Sequence, residues 1–219
     1  MNRDIKAPIF AISRLRMGTD GNGITTLVTF MGCPLNCRYC ANPKCHEQIY
    51  EEDDITPRKG IMLLTPQELY DIVKIDNIYF QATGGGICFG GGEPTMYEEF
   101  IKEFRELCGN KWKIILETSL VCSYATIREL SLVVDHWIVD IKTMNSHIYA
   151  KYTGECSGIL QHLSALKRFA PNERVTIKVP LIPDYNDVAD VERSTEMIKR
   201  LYGFDNIVTC QSIKTANHE

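Results

Sequence analysis

The stretch Cys33-Pro34-Leu35-Asn36-Cys37-Arg38-Tyr39-Cys40 constrains this chain more than any other. Its thiols sit four and then three residues apart, directly after the apolar run 24–30, and no fourth cysteine continues the spacing. Three thiolates can hold three irons of a 4Fe–4S cluster and leave the fourth iron open to a small molecule. Soft thiolate favours iron–sulfur clusters or zinc over hard, oxygen-seeking cations. Zinc is the competing expectation: Cys37 and Cys40 form a Cys-x2-Cys pair, Cys45-His46 follow closely, and a Cys3His site can be drawn. In such sites the second ligand pair usually lies further off across a loop, and Cys33 would have no role.

With 219 residues the chain has the length of one domain, 1–219, with a sizeable core. Hydrophobic residues at 44% and charged residues at 24% fit a soluble globular enzyme. The net charge of −4 argues against a general nucleic-acid or membrane-surface binder. No run of about 18 apolar residues predicts a membrane span. The start, Met1-Asn2-Arg3-Asp4-Ile5-Lys6, lacks the apolar core of a secretory signal, which predicts a cytoplasmic protein. Nine cysteines in such a chain point to ligation rather than a disulfide framework. Outside the motif, Cys88, Cys108, Cys122, Cys156 and Cys210 are expected as buried structural thiols.

Along the chain, the lead-in 1–20 carries an edge strand around Ile9, Phe10, Ile12 and Leu15, and Gly21-Asn22-Gly23 is a turn. Residues 24–32 read as a buried strand closed by glycine. The polar segment 45–60, with Glu51, Glu52, Asp53 and Asp54, reads as a solvated loop. Thr65-Pro66-Gln67-Glu68 opens a helix with a capping box and a proline in the first turn, with Leu69, Ile72 and Val73 facing the core. Further strands are expected at 84–92, 113–119, 136–142, 175–182 and 206–213. Further helices are expected at 98–108, 124–130, 158–170 and 187–202. Leu160, Leu163 and Leu166 face inward on the third of these; Val188, Val191, Ile198 and Tyr202 share one side of the last. Strand and helix thus alternate roughly six times, as βα units of a mostly parallel sheet do. Six units rather than eight predict an α/β fold, a partial (β/α)6 barrel open on one side. Ligand sites should lie at the C-terminal strand ends.

Two of those ends carry polar signals. Gly90-Gly91-Gly92-Glu93-Pro94 closes the second strand, where glycine lets a ligand approach the backbone. Asp140-Ile141-Lys142 places two charges on one face of an apolar strand, and such charges need partners.

The cysteine stretch, with Tyr39 at its aromatic position, resembles the radical S-adenosylmethionine (SAM) superfamily motif Cys-x3-Cys-x-aromatic-Cys. Gly91-Gly92-Glu93-Pro94 resembles that superfamily's Gly-Gly-Glu-Pro. More narrowly, the segment 85–94, Asp140-Ile141-Lys142 with Tyr152-Thr153-Gly154, and the segment 178–187 around Pro180-Leu181-Ile182-Pro183 resemble glycyl-radical-enzyme activating enzymes. The resemblance implies a partial barrel in which Cys33, Cys37 and Cys40 ligate one 4Fe–4S cluster and SAM chelates its open iron. One electron then splits SAM into methionine and a 5′-deoxyadenosyl radical. Carried over, Tyr39 belongs to the cofactor-binding loop, and Gly91, Gly92 and Glu93 meet the SAM amino group. Lys142 and Lys178 hold its carboxylate or ribose, and Asp140 with Glu117-Thr118 lies near the methionyl end. In some members an acidic residue and a threonine there help hold a monovalent cation. The implied partners are a glycyl radical enzyme as protein substrate and a flavodoxin- or ferredoxin-type electron donor. Four departures stand out: Glu117 where Asp is commoner, Lys178 in place of Arg with loss of the bidentate fork, Gly90 in place of Ser, and no cysteine-rich insert, so that one cluster only is expected. The alternatives are a small-molecule enzyme such as 7-carboxy-7-deazaguanine synthase and a non-catalytic zinc- or cluster-binding module.

Overall fold

The computed structural model describes residues 5–155 and 158–212. Cys156 and Ile213 lie outside them. Eight strands form one sheet in the order β3-β1-β2-β4-β5-β6-β7-β8. These are β1 (Ala7–Met17), β2 (Ile24–Phe30), β3 (Met62–Leu64), β4 (Gly86–Gly91), β5 (Lys113–Thr118), β6 (His136–Asp140), β7 (Val175–Leu181) and β8 (Ile207–Gln211). From β2 to β8 every neighbouring pair is parallel. These six strands are the expected βα series, and β3 and β8 end the sheet without pairing to each other. The barrel is therefore partial and open.

The first strand departs from expectation. β1 is not at the edge: it lies between β2 and β3, antiparallel to both. The edge is β3, whose apolar run is too short to read as a strand.

The helices are α1 (Pro66–Val73), α2 (Asn77–Thr83), α3 (Glu98–Cys108), α4 (Tyr124–Ser131), α5 (Ser146–Thr153), α6 (Ile159–Phe169) and α7 (Val188–Tyr202). α1 starts as predicted: Glu68 N donates to the Thr65 side chain, and the Glu68 carboxylate accepts from Thr65 N at 2.8 Å. α2 and α5 were not anticipated. Three residues assigned to buried helix faces are exposed, namely Ile72, Leu160 and Val188. Leu160 stands beside the buried Ile159 but points to the helix's outer side, and Val188 is the first residue of its helix.

One face of the sheet packs against the helices. Phe30 stacks on Phe89 at 5.4 Å, and Phe89 meets Phe104 edge-on at 5.5 Å. Fully burying such a ring contributes about 1.5–3 kcal/mol. The concave face holds a smaller apolar layer, Cys88, Ile115 and Ile138 with Leu27 against it. Above that layer the strand ends turn polar. No helix among the described residues is long and apolar enough to cross a membrane.

Candidate active site

The polar strand ends enclose a cavity of about 490 Å³. The loop after β2 brings Cys33, Cys37, Tyr39 and Cys40 to it. The end of β4 brings Gly91, Gly92 and Glu93, and the end of β5 brings Glu117, Thr118 and Ser119. Asp140, Lys142, Pro180, Cys210, Gln211 and Ser212 complete the wall. Every predicted site residue but one lines this space. The exception is Lys178, whose ammonium is held by Glu117 at 2.6 Å.

The cysteine loop is anchored from two sides. Asn36 N donates to Thr153 O at 2.9 Å and Arg38 N to Tyr152 O at 3.1 Å, while the Tyr152 hydroxyl donates to Tyr39 O. Leu35 and Cys37 pack with Tyr149, Tyr152 and Ile182. The Tyr152-Thr153-Gly154 stretch therefore clamps the loop, with Gly154 ending α5 in the left-handed region. Tyr39 closes the far rim, its hydroxyl donating to Asp184 at 2.7 Å.

The glycines serve packing as well as access. A Cβ on Gly92 would lie 2.0 Å from Gly32 O, and Gly91 sits at φ +90° with its Cβ position 2.5 Å from that of Thr29. Glycine is required there because backbone meets backbone. Gly92 N donates to Phe30 O at 2.9 Å and Glu93 N to Gly32 O at 2.8 Å, which fastens β4 to the root of the cysteine loop.

Glu93 is 1% exposed, and both its oxygens are occupied. Oε1 accepts from Thr95 N, Thr95 Oγ1 and Thr118 Oγ1; Oε2 accepts from Ser119 N and Ser119 Oγ. Thr95 and Ser119 were not singled out in the sequence, although Ser119 follows the flagged strand end directly. Asp140 differs: Oδ2 accepts from Lys142, and Oδ1 is buried with no partner among the described residues. β6 stops at Asp140, so Lys142 sits in the loop beyond rather than on the strand. Burial works against the Lys142 ammonium, but the groups around it, Asp140 foremost and Cys37 next, together outweigh it and its pKa is raised. Lys178 is likewise raised: burial opposes its charge, and Glu117 with Asp140 and Cys210 together outweigh it.

The thiols are not equivalent. Burial pushes Cys33 up to about 11 and Cys37 up to about 12, each partly offset by Lys142. Cys40 is lowered to about 5, chiefly by a hydrogen bond from Cys45 and further by His46, while Cys45 is raised in turn. The eight described cysteines are free thiols. Cys88 and Cys108 are buried as expected, whereas Cys210 is exposed, against expectation, because β8 is an edge strand and its end opens on the cavity.

Residues 27–198 match the radical SAM superfamily. The chain belongs to that superfamily. Among curated proteins it is 26% identical to the (2S)-3-sulfopropanediol dehydratase activating enzyme of Klebsiella oxytoca, over 90% of this chain and 78% of the relative. It is 27% identical to the pyruvate formate-lyase-activating enzyme of Clostridium pasteurianum, over 86% of this chain and 75% of the relative. In three dimensions it resembles QueE from Escherichia coli, with a TM-score of 0.57 and 16% identity over 94% of this chain and 83% of that one. The superfamily implies a 4Fe–4S cluster and SAM. This radical SAM chain offers fitting donors in one cavity: three thiols, an acidic oxygen with no partner among the described residues, and a half-buried ammonium.

Proposed function

We propose that this protein is a glycyl-radical-enzyme activating enzyme, with one catalytic domain. The reading is carried by the relatives that span 90% and 86% of the chain, both named activating enzymes. The open side of the sheet supports it, since a folded partner can present a loop there.

In this reading Cys33, Cys37 and Cys40 ligate one 4Fe–4S cluster. The bound cofactors supply one-electron cleavage of SAM to methionine and a 5′-deoxyadenosyl radical, which takes a hydrogen atom from a backbone glycine of the partner. The residues of this chain bind, orient and shield. Glu93, with Gly91, Gly92 and Thr118, receives the SAM ammonium; Lys142 meets its carboxylate and Asp140 stands at the methionyl end. Tyr39 covers the loop. Lys178 acts from beneath, neutralising Glu117. A monovalent cation finds a buried, unpartnered acidic atom at Asp140 Oδ1, while one oxygen of Glu117 already holds a tethered ammonium. The electron donor is a flavodoxin- or ferredoxin-type protein. Free thiols and a reduced cluster suit the cytoplasm, and nucleic acid has no part.

Replacing any one of Cys33, Cys37 or Cys40 by Ala should abolish cluster loading and SAM cleavage. Cleavage should be slow for the protein alone and faster with its partner, because the partner shields the reacting centre from water. Electron paramagnetic resonance on the reduced enzyme, SAM and a glycyl radical protein encoded beside it should show a glycine-centred doublet. No protein radical with any such partner, together with turnover of a small pterin-like substrate, would replace the activase reading by a small-molecule one.

A further inference from the structure

Beside the three proposed cluster ligands, the cysteine loop holds a second group of metal-binding atoms. Ligand atoms of Cys40, Cys45 and His46 all lie within 4.8 Å of one another. Among the described residues it is the one such group of three or more His, Cys, Asp or Glu side chains. A short 3-10 turn, Pro43–His46, presents Cys45 and His46 side by side. Cys45 N donates to Asn42 O at 3.0 Å, and Cys45 O accepts from Gly32 N at 2.7 Å. The first bond closes the turn on its own cap, and the second ties it to the root of the cysteine loop. Cys45 is 2% exposed, Cys40 is half-buried and His46 is exposed. The group thus has a buried sulfur floor and an open outer face.

We propose that Cys40, Cys45 and His46 form a single-ion zinc site that shares Cys40 with the cluster ligands, so that zinc and cluster exclude each other. Two thiolates and an imidazole make three corners of a tetrahedral zinc shell, and water can take the fourth on the exposed His46 side. Cluster thiolates sit on different irons and stand apart; ligands of one ion must gather, as these three do. Cys33 and Cys37 are not in the group. Binding needs no oxidant or reductant: zinc–sulfur bonds form to the Cys40 and Cys45 sulfurs, and any thiol proton still held there leaves to solvent. The single-ion site stands on this geometry. Its exclusion of the cluster also rests on the reading of Cys40 as an iron ligand.

The test uses the full chain, reduced, metal-free and without oxygen. Zinc is titrated against a chromophoric chelator, and cobalt serves as a visible substitute. One tight equivalent is expected, with the charge-transfer and d–d bands of tetrahedral cobalt–thiolate. His46→Ala and Cys45→Ala should each weaken zinc binding more than about a hundredfold, beyond what loss of a neighbour outside the ligand set costs. His46 is exposed, so its variant stays informative if the buried Cys45 variant fails to fold. Cys33→Ala should keep the zinc equivalent. Unchanged affinity in His46→Ala, or loss of zinc in Cys33→Ala, overturns the site. Iron and sulfide are then added to protein loaded beforehand with one zinc. Wild type should take up little cluster, while His46→Ala should take up as much as without zinc. Full cluster uptake by zinc-loaded wild type overturns the exclusion. If His46→Ala builds no cluster even without zinc, the ligand reading of Cys33, Cys37 and Cys40 fails, while the zinc titration still stands or falls alone.

Discussion

Glu93 and Asp140 face the same cavity in opposite conditions. Glu93 is saturated: five hydrogen bonds reach its two oxygens from Thr95, Thr118 and Ser119. Asp140 is half used, with one oxygen on Lys142 and the other buried and unpartnered. A buried carboxylate oxygen without a donor is costly and is usually explained by an absent partner. The contrast teaches a division of labour. Glu93 knits the ends of β4 and β5 into a preformed wall. Asp140 keeps an open valence for what enters. A ligand ammonium at Glu93 must then join an existing network, whereas one at Asp140 fills a gap.

The largest effect should come from Glu93→Gln. An amide replaces one acceptor oxygen by a donor. At either end it would face a backbone N–H that cannot turn away, Thr95 N on one side or Ser119 N on the other. A hydrogen bond to a charged group contributes about 1.5–3 kcal/mol, and an orphaned buried donor costs about 1–3 kcal/mol. We expect a loss near 3 kcal/mol in denaturant unfolding together with weaker SAM binding. Unchanged stability would mean that the network is not built as described, and unchanged SAM affinity would remove Glu93 from the ligand's contacts.

Asp140→Asn should cost less in stability, about 1 kcal/mol. Asn still accepts from Lys142, the pair is partly open to solvent, and the unpartnered oxygen has no bond to lose. SAM affinity should nevertheless fall, so the two readouts part company at Asp140 and move together at Glu93. A variant that unfolds as readily as Glu93→Gln while binding SAM normally would reverse the comparison.

Legibility in the sequence follows locality. The six parallel strands are readable because each is a short β-branched or apolar run bounded by glycine, asparagine or aspartate. The antiparallel seat of β1 and the three-residue β3 are not, since both depend on partners far along the chain. α5 has weak amphipathicity; its readable sign was Asn145, whose side chain caps the helix by accepting from His147 N and Ile148 N. Cys33, Cys37, Cys40, Glu93 and Asp140 were visible through spacing and resemblance. That Glu93 is filled and Asp140 is not could not be read: Thr95 lies two residues on, in the 3-10 turn that Glu93 caps, but Thr118 and Ser119 come from the neighbouring strand end, whose approach only the fold decides. Lys178 shows the same limit: its residue type was readable, but its capture by Glu117 across the sheet was not.

The smallest expected effect concerns the pH dependence of the Asp140 side. Lys142 is held protonated by Asp140 against the burial that opposes it, and its pKa in the fold lies above the ordinary lysine value. A raised pKa contributes stability that is fully present below the unfolded-state value, near about 10.4, and is lost as pH rises through the folded value. Between about pH 6 and 9 both folded and unfolded chains carry the charge, so no proton is exchanged on unfolding at this residue. The stability difference between wild type and Lys142→Met, measured by urea unfolding, should therefore be flat across that window and shrink only at strongly alkaline pH. A difference that already narrows between pH 7 and 8 would mean that burial wins over Asp140. Lys142 would then titrate as a desolvated amine and would carry less than the full positive charge that a ligand carboxylate requires.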